Sequence, residues 1–110
     1  MFHTCKTGAV HVIRIEVPLN GETREQLANA LSATVQGRPM AVVDLSGMQL
    51  IDSQGLEELL EQHEQFVQLG GDLKLAAATP MCTDALRVTG VSDRVETFED
   101  VKDAIASFLH

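Results

Sequence analysis

Polar and apolar side chains alternate over residues 9–17, which is typical of a β-strand with one face more buried than the other. The more apolar face carries Ala9, His11, Ile13, Ile15 and Val17. Thr7-Gly8, just before this run, is suited to a tight turn that would pair a lead strand at residues 2–5 with it. The pattern therefore predicts a long first strand, preceded by a short hairpin partner.

Short apolar runs predict three more strands. They lie at residues 40–45, at residues 73–78 and, together with a short connection, within residues 91–96. Helical spacing of apolar residues fills the intervals between the strands. The predicted helix starts are a capping box at Thr23-Arg-Glu-Gln26, Ser53, Thr79-Pro80, and a second capping box at Thr97-Phe-Glu-Asp100. Glycines predict three helix ends, at Gly37, Gly70-Gly71 and Gly90.

Strand and helix alternate four times in this interpretation, and such alternation requires crossover connections. We therefore expect an α/β fold with a mixed, mostly parallel sheet of four to five strands and about four helices. No linker, repeat or low-complexity segment divides the chain, so residues 1–110 are expected to form one domain.

Charge and composition narrow the function classes. The chain has 8 Lys and Arg against 16 Asp and Glu, a net charge of −8, and the basic residues are scattered. This disfavours binding to nucleic acids and to acidic membranes. No apolar run reaches the roughly 20 residues that span a bilayer, and the first residues lack the pattern of a secretory signal. We expect a cytoplasmic protein without membrane insertion.

Two cysteines, Cys5 and Cys82, stand far apart in the chain. Neither has a second cysteine or a histidine pair at metal-ligand spacing, so both are interpreted as reduced thiols and no metal or other cofactor is expected.

Ser53 is the main candidate for a functional residue, because it lies where the second helix should begin. A hydroxyl there can cap the helix, or it can carry a phosphate that the helix N-terminus would tolerate. Ser53 resembles the serine of a nucleophile elbow in position only, since Ile51 stands where that motif requires glycine and no histidine is placed as its base. We predict no catalytic residue, and the choice between cap and phosphate acceptor stays open at this point.

The residues around Ser53 allow structural and functional interpretations. Asp44 is expected to bond loop amides, and Asp52 to precede the cap and favour the helix dipole, rather than to form a carboxylate pair. His63 is expected to be packed beside a local partner. Gly47 and Gly55 fit ordinary turns or the close approach of a partner backbone. The acidic row on the second helix is either a solvated face or a docking face for a basic partner, and it comprises Glu57, Glu58, Glu61 and Glu64. The methionines are expected to fill core or loop, although Met48 could lie exposed beside Ser53.

Two motifs and their spacing resemble one known family. Val43-Asp-Leu-Ser-Gly-Met48 and Ile51-Asp-Ser-Gln-Gly-Leu56 are similar to the DLSGV…IDSSGL pattern of STAS domains, the fold of bacterial anti-sigma factor antagonists. Leu69-Gly-Gly-Asp-Leu-Lys-Leu75 resembles the glycine-led third strand of that family, and Leu86-Arg-Val-Thr-Gly-Val-Ser92 resembles one of its helix ends. The resemblance covers nearly the whole chain.

The resemblance implies a function. In that family, a partner kinase that doubles as the anti-sigma factor phosphorylates the serine of the IDS motif. The unphosphorylated antagonist binds this partner and frees a sigma factor, and the phosphorylated form lets go. Carried over, Ser53 is the phosphate acceptor and the protein is not an enzyme. The implied partner-binding residues are Asn20, Ser46, Gly47, Met48, Asp52, Gln54, Gly55 and Glu57.

Two positions depart from the family pattern. Asn20 stands where many members carry an acidic residue, and Gln54 replaces a small residue beside Ser53. The family also includes subunits that dock on membrane transporters or stressosome-like assemblies, in which Ser53 would be only a helix cap. A weak homodimer is compatible with either role.

Overall fold

The computed structural model describes residues 2–109 and contains one mixed five-stranded sheet. The strands lie in the order β1-β2-β3-β4-β5; β1 is antiparallel to β2, and the other neighbours are parallel. The strands are β1 (Phe2–Thr7), β2 (Val10–Ile15), β3 (Met40–Asp44), β4 (Asp72–Ala76) and β5 (Thr97–Phe98). The helices are α1 (Arg24–Ser32), α2 (Ser53–Gln68), α3 (Pro80–Val88), α4 (Val91–Arg94) and α5 (Val101–Ser107). The predicted α/β class with a mostly parallel sheet is confirmed.

The predicted hairpin is present and longer than expected. Its strands pair from Phe2 with Ile15 to Thr7 with Val10, and Gly8 takes a φ of 61° in the turn. That left-handed conformation suits glycine because a Cβ atom is strained there.

Both faces of β2 are covered, which differs from the prediction that one face is more buried than the other. Ile13 and Ile15 enter the larger core beneath α1, α2 and α3, whereas Val10 and Val12 enter a smaller core with α5 on the opposite face. Alternation could not reveal this, since valine on the second face is buried by a helix from the far end of the chain.

Residues 91–94 form a helical turn where a short connection and strand were predicted for residues 91–96. Val91 and Val95 are four residues apart, are both buried, and are joined by a 2.9 Å backbone hydrogen bond. The fifth strand is only Thr97–Phe98, paired with Leu75 and Ala76. The order of elements therefore gains α4, and Thr97 belongs to a strand instead of capping α5.

The starts of α1 and α5 differ from the predicted capping boxes. At α1, the Thr23 hydroxyl donates to the Pro18 carbonyl (2.7 Å) instead of closing a capping box. The Asn20 carboxamide oxygen instead accepts from the backbone N–H groups of Glu22 (2.9 Å) and Thr23 (3.2 Å). At α5, the cap is Asp100, which accepts from the N–H of Asp103 (2.8 Å). The Thr79-Pro80 start of α3 is confirmed.

Candidate functional site

The carboxyl ends of the four parallel strands meet at one edge of the sheet, where open α/β sheets usually place their functional groups. We call the segments that follow these strands the carboxyl edge; it comprises residues 16–23, 45–52, 77–79 and 99–100. Helices α1, α2, α3 and α5 all begin there, so Ser53 lies on this edge.

Two backbone hydrogen bonds join residues 45–52, which lead directly into Ser53, to residues 16–23. The Leu19 N–H donates to the Leu50 carbonyl (3.0 Å), and the Asp52 N–H donates to the Leu19 carbonyl (3.1 Å). These bonds surround a parallel bridge between Leu19 and Ile51. The start of α2 is therefore held directly against the segment that carries Asn20.

Asp52, and not Ser53, caps α2. Asp52 has an extended backbone, and its carboxylate accepts from the N–H of Gly55 at 3.0 Å. Ser53 is the first residue of the helix and is exposed. The alternative in which Ser53 serves as the cap is therefore wrong. Asp52, which was expected to lie just before the cap, is itself the cap.

Asn20 and Gln54 lie together beside Ser53. With Gly21, Glu22 and Asp52 they line one open depression. The Asn20 oxygen accepts from the N–H groups of Glu22 and Thr23 just before α1, so the NH₂ group of this side chain is its remaining donor. Gln54 packs over Gly21, where a Cβ atom would collide with the Gln54 carboxamide. The structure thus brings Asn20, Asp52 and Gln54 into one surface.

The segment between β3 and α2 folds partly inward. The Asp44 carboxylate accepts from the Ser46 N–H (2.9 Å), which confirms the expected bond to a loop amide. Ser46 is exposed, but Met48 is fully buried in the larger core. Met48 cannot contact a partner in this conformation, so its assignment to an exposed binding surface is wrong. The apolar side chain of Met48 lies in the core because burial removes it from water.

The two glycines of the motif are explained by contacts within the chain. A Cβ atom on Gly47 would lie 3.1 Å from the Ile15 carbonyl oxygen and 2.9 Å from Glu16 Cγ. Gly55 is buried, and a Cβ atom there would overlap the Leu19 carbonyl. Both glycines support the carboxyl edge, and Gly55 is not exposed to a partner.

The four glutamates of α2 do not form one solvated face. Glu58 is buried, accepts from Arg24 Nε at 2.9 Å and from Gln62 Nε2 at 2.7 Å, and so joins α2 to α1. Glu57 and Glu61 are exposed and lie 3.8 and 3.4 Å from the same guanidinium. The Glu58 hydrogen bond raises the pKa of the Arg24 guanidinium above its ordinary value. Arg24 was not singled out from the sequence, because its partners lie more than thirty residues away.

His63 has the local partner that was expected. Its Nε2 atom lies 3.2 Å from Asp72 Oδ1, and only 20% of its side chain is exposed. Within residues 2–109 there is no group of three or more His, Cys, Asp and Glu side chains arranged to hold a metal ion. None of the helices in that part of the chain is long and apolar enough to cross a membrane.

The two thiols differ in accessibility. Cys5 is exposed on β1, whereas Cys82 is buried, and this burial raises the pKa of the Cys82 thiol to about 11. We expect one thiol per folded chain to react with Ellman's reagent at pH 8 and two in denaturant, with Cys5→Ser removing the fast one. Equal rates for both thiols in the folded protein would contradict the structure.

The raised pKa of Cys82 also predicts a pH dependence of stability. Above about pH 9, the free energy of unfolding should fall more for the protein with Cys82 than for Cys82→Ala, because the thiol then loses its proton in the unfolded chain but keeps it in the folded one.

Comparisons with known proteins agree with this architecture. The sequence model of the STAS domain matches residues 3–104, and the chain belongs to the STAS domain family. An anti-sigma factor antagonist from Mycobacterium paratuberculosis is 22% identical with a TM-score of 0.86, over 97% of this chain and 92% of that one. The anti-sigma factor antagonist SpoIIAA in its unphosphorylated form is 16% identical with a TM-score of 0.80, over 98% and 96% of the two chains.

A transporter domain is similar as well. The STAS domain of a SulP transporter from Vibrio cholerae is 17% identical with a TM-score of 0.76, over 96% of this chain and 84% of that one. No curated protein matches the sequence. At these identities the likeness establishes the shared fold, and the family resemblance read from the motifs is confirmed.

Proposed function

We propose that this STAS domain is a non-enzymatic, protein-binding switch of the anti-sigma factor antagonist type. With Ser53 unphosphorylated, it binds an anti-sigma factor that has serine-kinase activity, and a sigma factor is released. Phosphorylation of Ser53 ends the binding. Because such a partner regulates transcription in bacteria, the interaction is proposed to take place in the cytoplasm.

The observation that carries this proposal is the freedom of the Ser53 side chain. Ser53 is exposed on a segment fixed by backbone hydrogen bonds, and Asp52 already provides the helix cap. A phosphate would add about −1.5 to −2 charge at a helix N-terminus, where an anion is tolerated, so the fold should persist. The phosphate charge would then weaken partner binding, because the partner would have to remove the water bound to the phosphate.

The carboxyl edge, which lies within the described residues 2–109, supplies no Lys or Arg to neutralise that phosphate. The Arg24 guanidinium is held among Glu57, Glu58 and Glu61. The exposed or half-exposed residues proposed to contact the partner are Asn20, Ser46, Asp52, Gln54 and Glu57. Gly47, Gly55 and Met48 are proposed to act only by shaping this surface.

The proposal is tested by quantitative pull-down from a lysate of cells in which the protein is naturally made. We expect an ATPase-type kinase to be retained by a Ser53→Ala bait and to be depleted at least about tenfold on a Ser53→Asp bait, which is about 1.4 kcal/mol. Ser32→Asp adds the same charge at the exposed far end of α1 and should bind as the unmodified protein does. Unfolding of the Ser53→Asp variant at neutral pH would contradict the proposal that the switch acts at the interface.

A second candidate function is docking on a membrane transporter or a stressosome-like assembly. The likeness to the SulP transporter domain favours it. In that case transporter subunits or assembly components should be retained equally by the Ser53→Ala and Ser53→Asp baits. An enzyme would instead show turnover that disappears in Ser53→Ala.

A further inference from the structure

Leu50 is an exposed apolar side chain beside the proposed switch. It is 59% exposed, although Met48 two residues earlier is fully buried and Ile51 packs against the larger core. Its backbone is fixed, since the Leu50 carbonyl accepts from the Leu19 N–H at 3.0 Å. The chain thus holds a leucine outward at a defined position, three residues before Ser53.

We propose that Leu50 is the apolar anchor of this surface and that it fits a hydrophobic recess, surrounded by basic groups, on the partner protein. The inference rests on the proposed function and names the chemistry of the partner surface. Leu50 also borders a depression in which the apolar residues Val17 and Pro18 lie beside the polar residues Glu16 and Gln49.

The charges of the carboxyl edge indicate the surroundings of that recess. Its sequence carries the acidic residues Glu16, Glu22, Asp52, Glu99 and Asp100 and no Lys or Arg. Glu16 is paired, with His3 Nε2 at 2.7 Å and Arg14 Nε at 3.9 Å, but Glu22 and Asp52 are exposed and both line the depression beside Asn20. Complementary charge on the partner is therefore positive, at the rim of the contact.

Anchor and rim have separate roles. Burial of a leucine side chain stabilises a complex mainly by slowing dissociation, and rim charges mainly change the association rate and its salt dependence. A phosphate on Ser53 adds negative charge, which a basic rim would attract. Release upon phosphorylation therefore requires Ser53 to lie in the dehydrated centre with Leu50, where a dianion loses its hydration without a compensating cation.

The experiment extends the pull-down with two double variants. Baits with Ser53→Ala, Ser53→Asp, Ser53→Ala plus Leu50→Ala, and Ser53→Ala plus Leu69→Ala are compared for retention of the same identified protein. Leu69 is the matched control: it is 49% exposed and follows α2, whose 16 residues place it about 24 Å from the carboxyl edge. Both leucines are largely exposed, so neither alanine is expected to unfold the chain, which circular dichroism checks.

We expect Leu50→Ala to lower retention about tenfold or more and Leu69→Ala to change it less than about twofold. With the purified partner, Leu50→Ala should raise the dissociation rate without altering the salt dependence of association, whereas Glu22→Gln should alter that salt dependence. If Leu50→Ala binds as Leu69→Ala does while the two Ser53 baits still differ, the anchor is refuted and the proposed switch stands. Equal retention by the two Ser53 baits would overturn the proposed function and this inference together.

Discussion

The Glu58→Lys variant is expected to lose about 3 kcal/mol of unfolding free energy, because it removes a buried carboxylate from its ion pair and places a buried cation beside the Arg24 guanidinium. Only 7% of the Glu58 side chain is exposed, and its carboxylate accepts from Arg24 Nε at 2.9 Å. Its second oxygen accepts from Gln62 Nε2 at 2.7 Å, so that amide would lose its acceptor as well. Urea denaturation at pH 7 gives the free energy.

Glu64→Lys is the matched control for this variant. Glu64 is exposed on the same helix, and its exchange alters the net charge by the same amount, so a change of about 0.5 kcal/mol or less is expected. Adding Arg24→Glu to Glu58→Lys should restore part of the lost stability by reversing the pair. Similar urea midpoints for Glu58→Lys and Glu64→Lys would contradict the stabilising role of the contact between Glu58 and Arg24.

The acidic row illustrates what a sequence pattern omits. Four glutamates at helical spacing look alike, and nothing local distinguishes Glu58. The distinction comes from α1, since Arg24 reaches Glu58 across 34 positions of sequence. Periodicity predicted that α2 is amphipathic, but which polar residues face a second helix depends on how the two helices cross.

The side-chain caps of α1 and α2 were predicted wrongly for a different reason. Asp52 and Ser53 are both good N-cap residues, and only the backbone conformation decides between them. Asp52 is extended and lies one residue before the helix because its N–H is bound to the Leu19 carbonyl. At α1, likewise, the Thr23 side chain does not cap the helix but bonds back to Pro18, and Asn20 accepts from the N–H groups of the turn just before the helix. The local sequence contains both solutions, and long-range backbone contacts select one.

Long, periodic segments were predicted well and short ones were not. The parallel strands β2, β3 and β4 and the helix α2 follow from strong apolar patterns. Helix α4 has four residues and β5 has two, which is too short for either period to be read. Asn20 and Gln54, which the motif singled out together with Ser53, line one depression at the start of α2, and their role in binding a partner stays a prediction. Met48 is buried, as expected of a core methionine and not of a partner-binding residue, and Leu50 was not named individually among the partner-binding residues. Alternation says little about which apolar side chain of an irregular segment turns inward.

Gly55→Ala is expected to destabilise the protein by about 2 kcal/mol, against the usual preference of helices for alanine. Gly55 lies in the first turn of α2, where alanine would otherwise stabilise the helix by up to about 1 kcal/mol. The added Cβ atom would overlap the Leu19 carbonyl and lie 3.0 Å from Ile51 Cγ1. A backbone carbonyl that already accepts from Asp52 cannot rotate away, so α2 would have to shift. The sign of the change therefore tests the close approach of the two segments.

Gly21→Ala separates this effect from the general consequence of adding a methyl group at the same edge. The Cβ atom at position 21 would meet only the end of the Gln54 side chain, which can rotate, so a change within about 0.5 kcal/mol is expected. Urea midpoints give the stability of both variants, and hydrogen exchange at the Asp52 amide reports on its bond to Leu19. Higher stability and unchanged exchange in Gly55→Ala would mean that the segment carrying Ser53 is not held by Leu19. Faster exchange with lower stability would instead show that the position of Ser53 depends on a contact which only glycine permits.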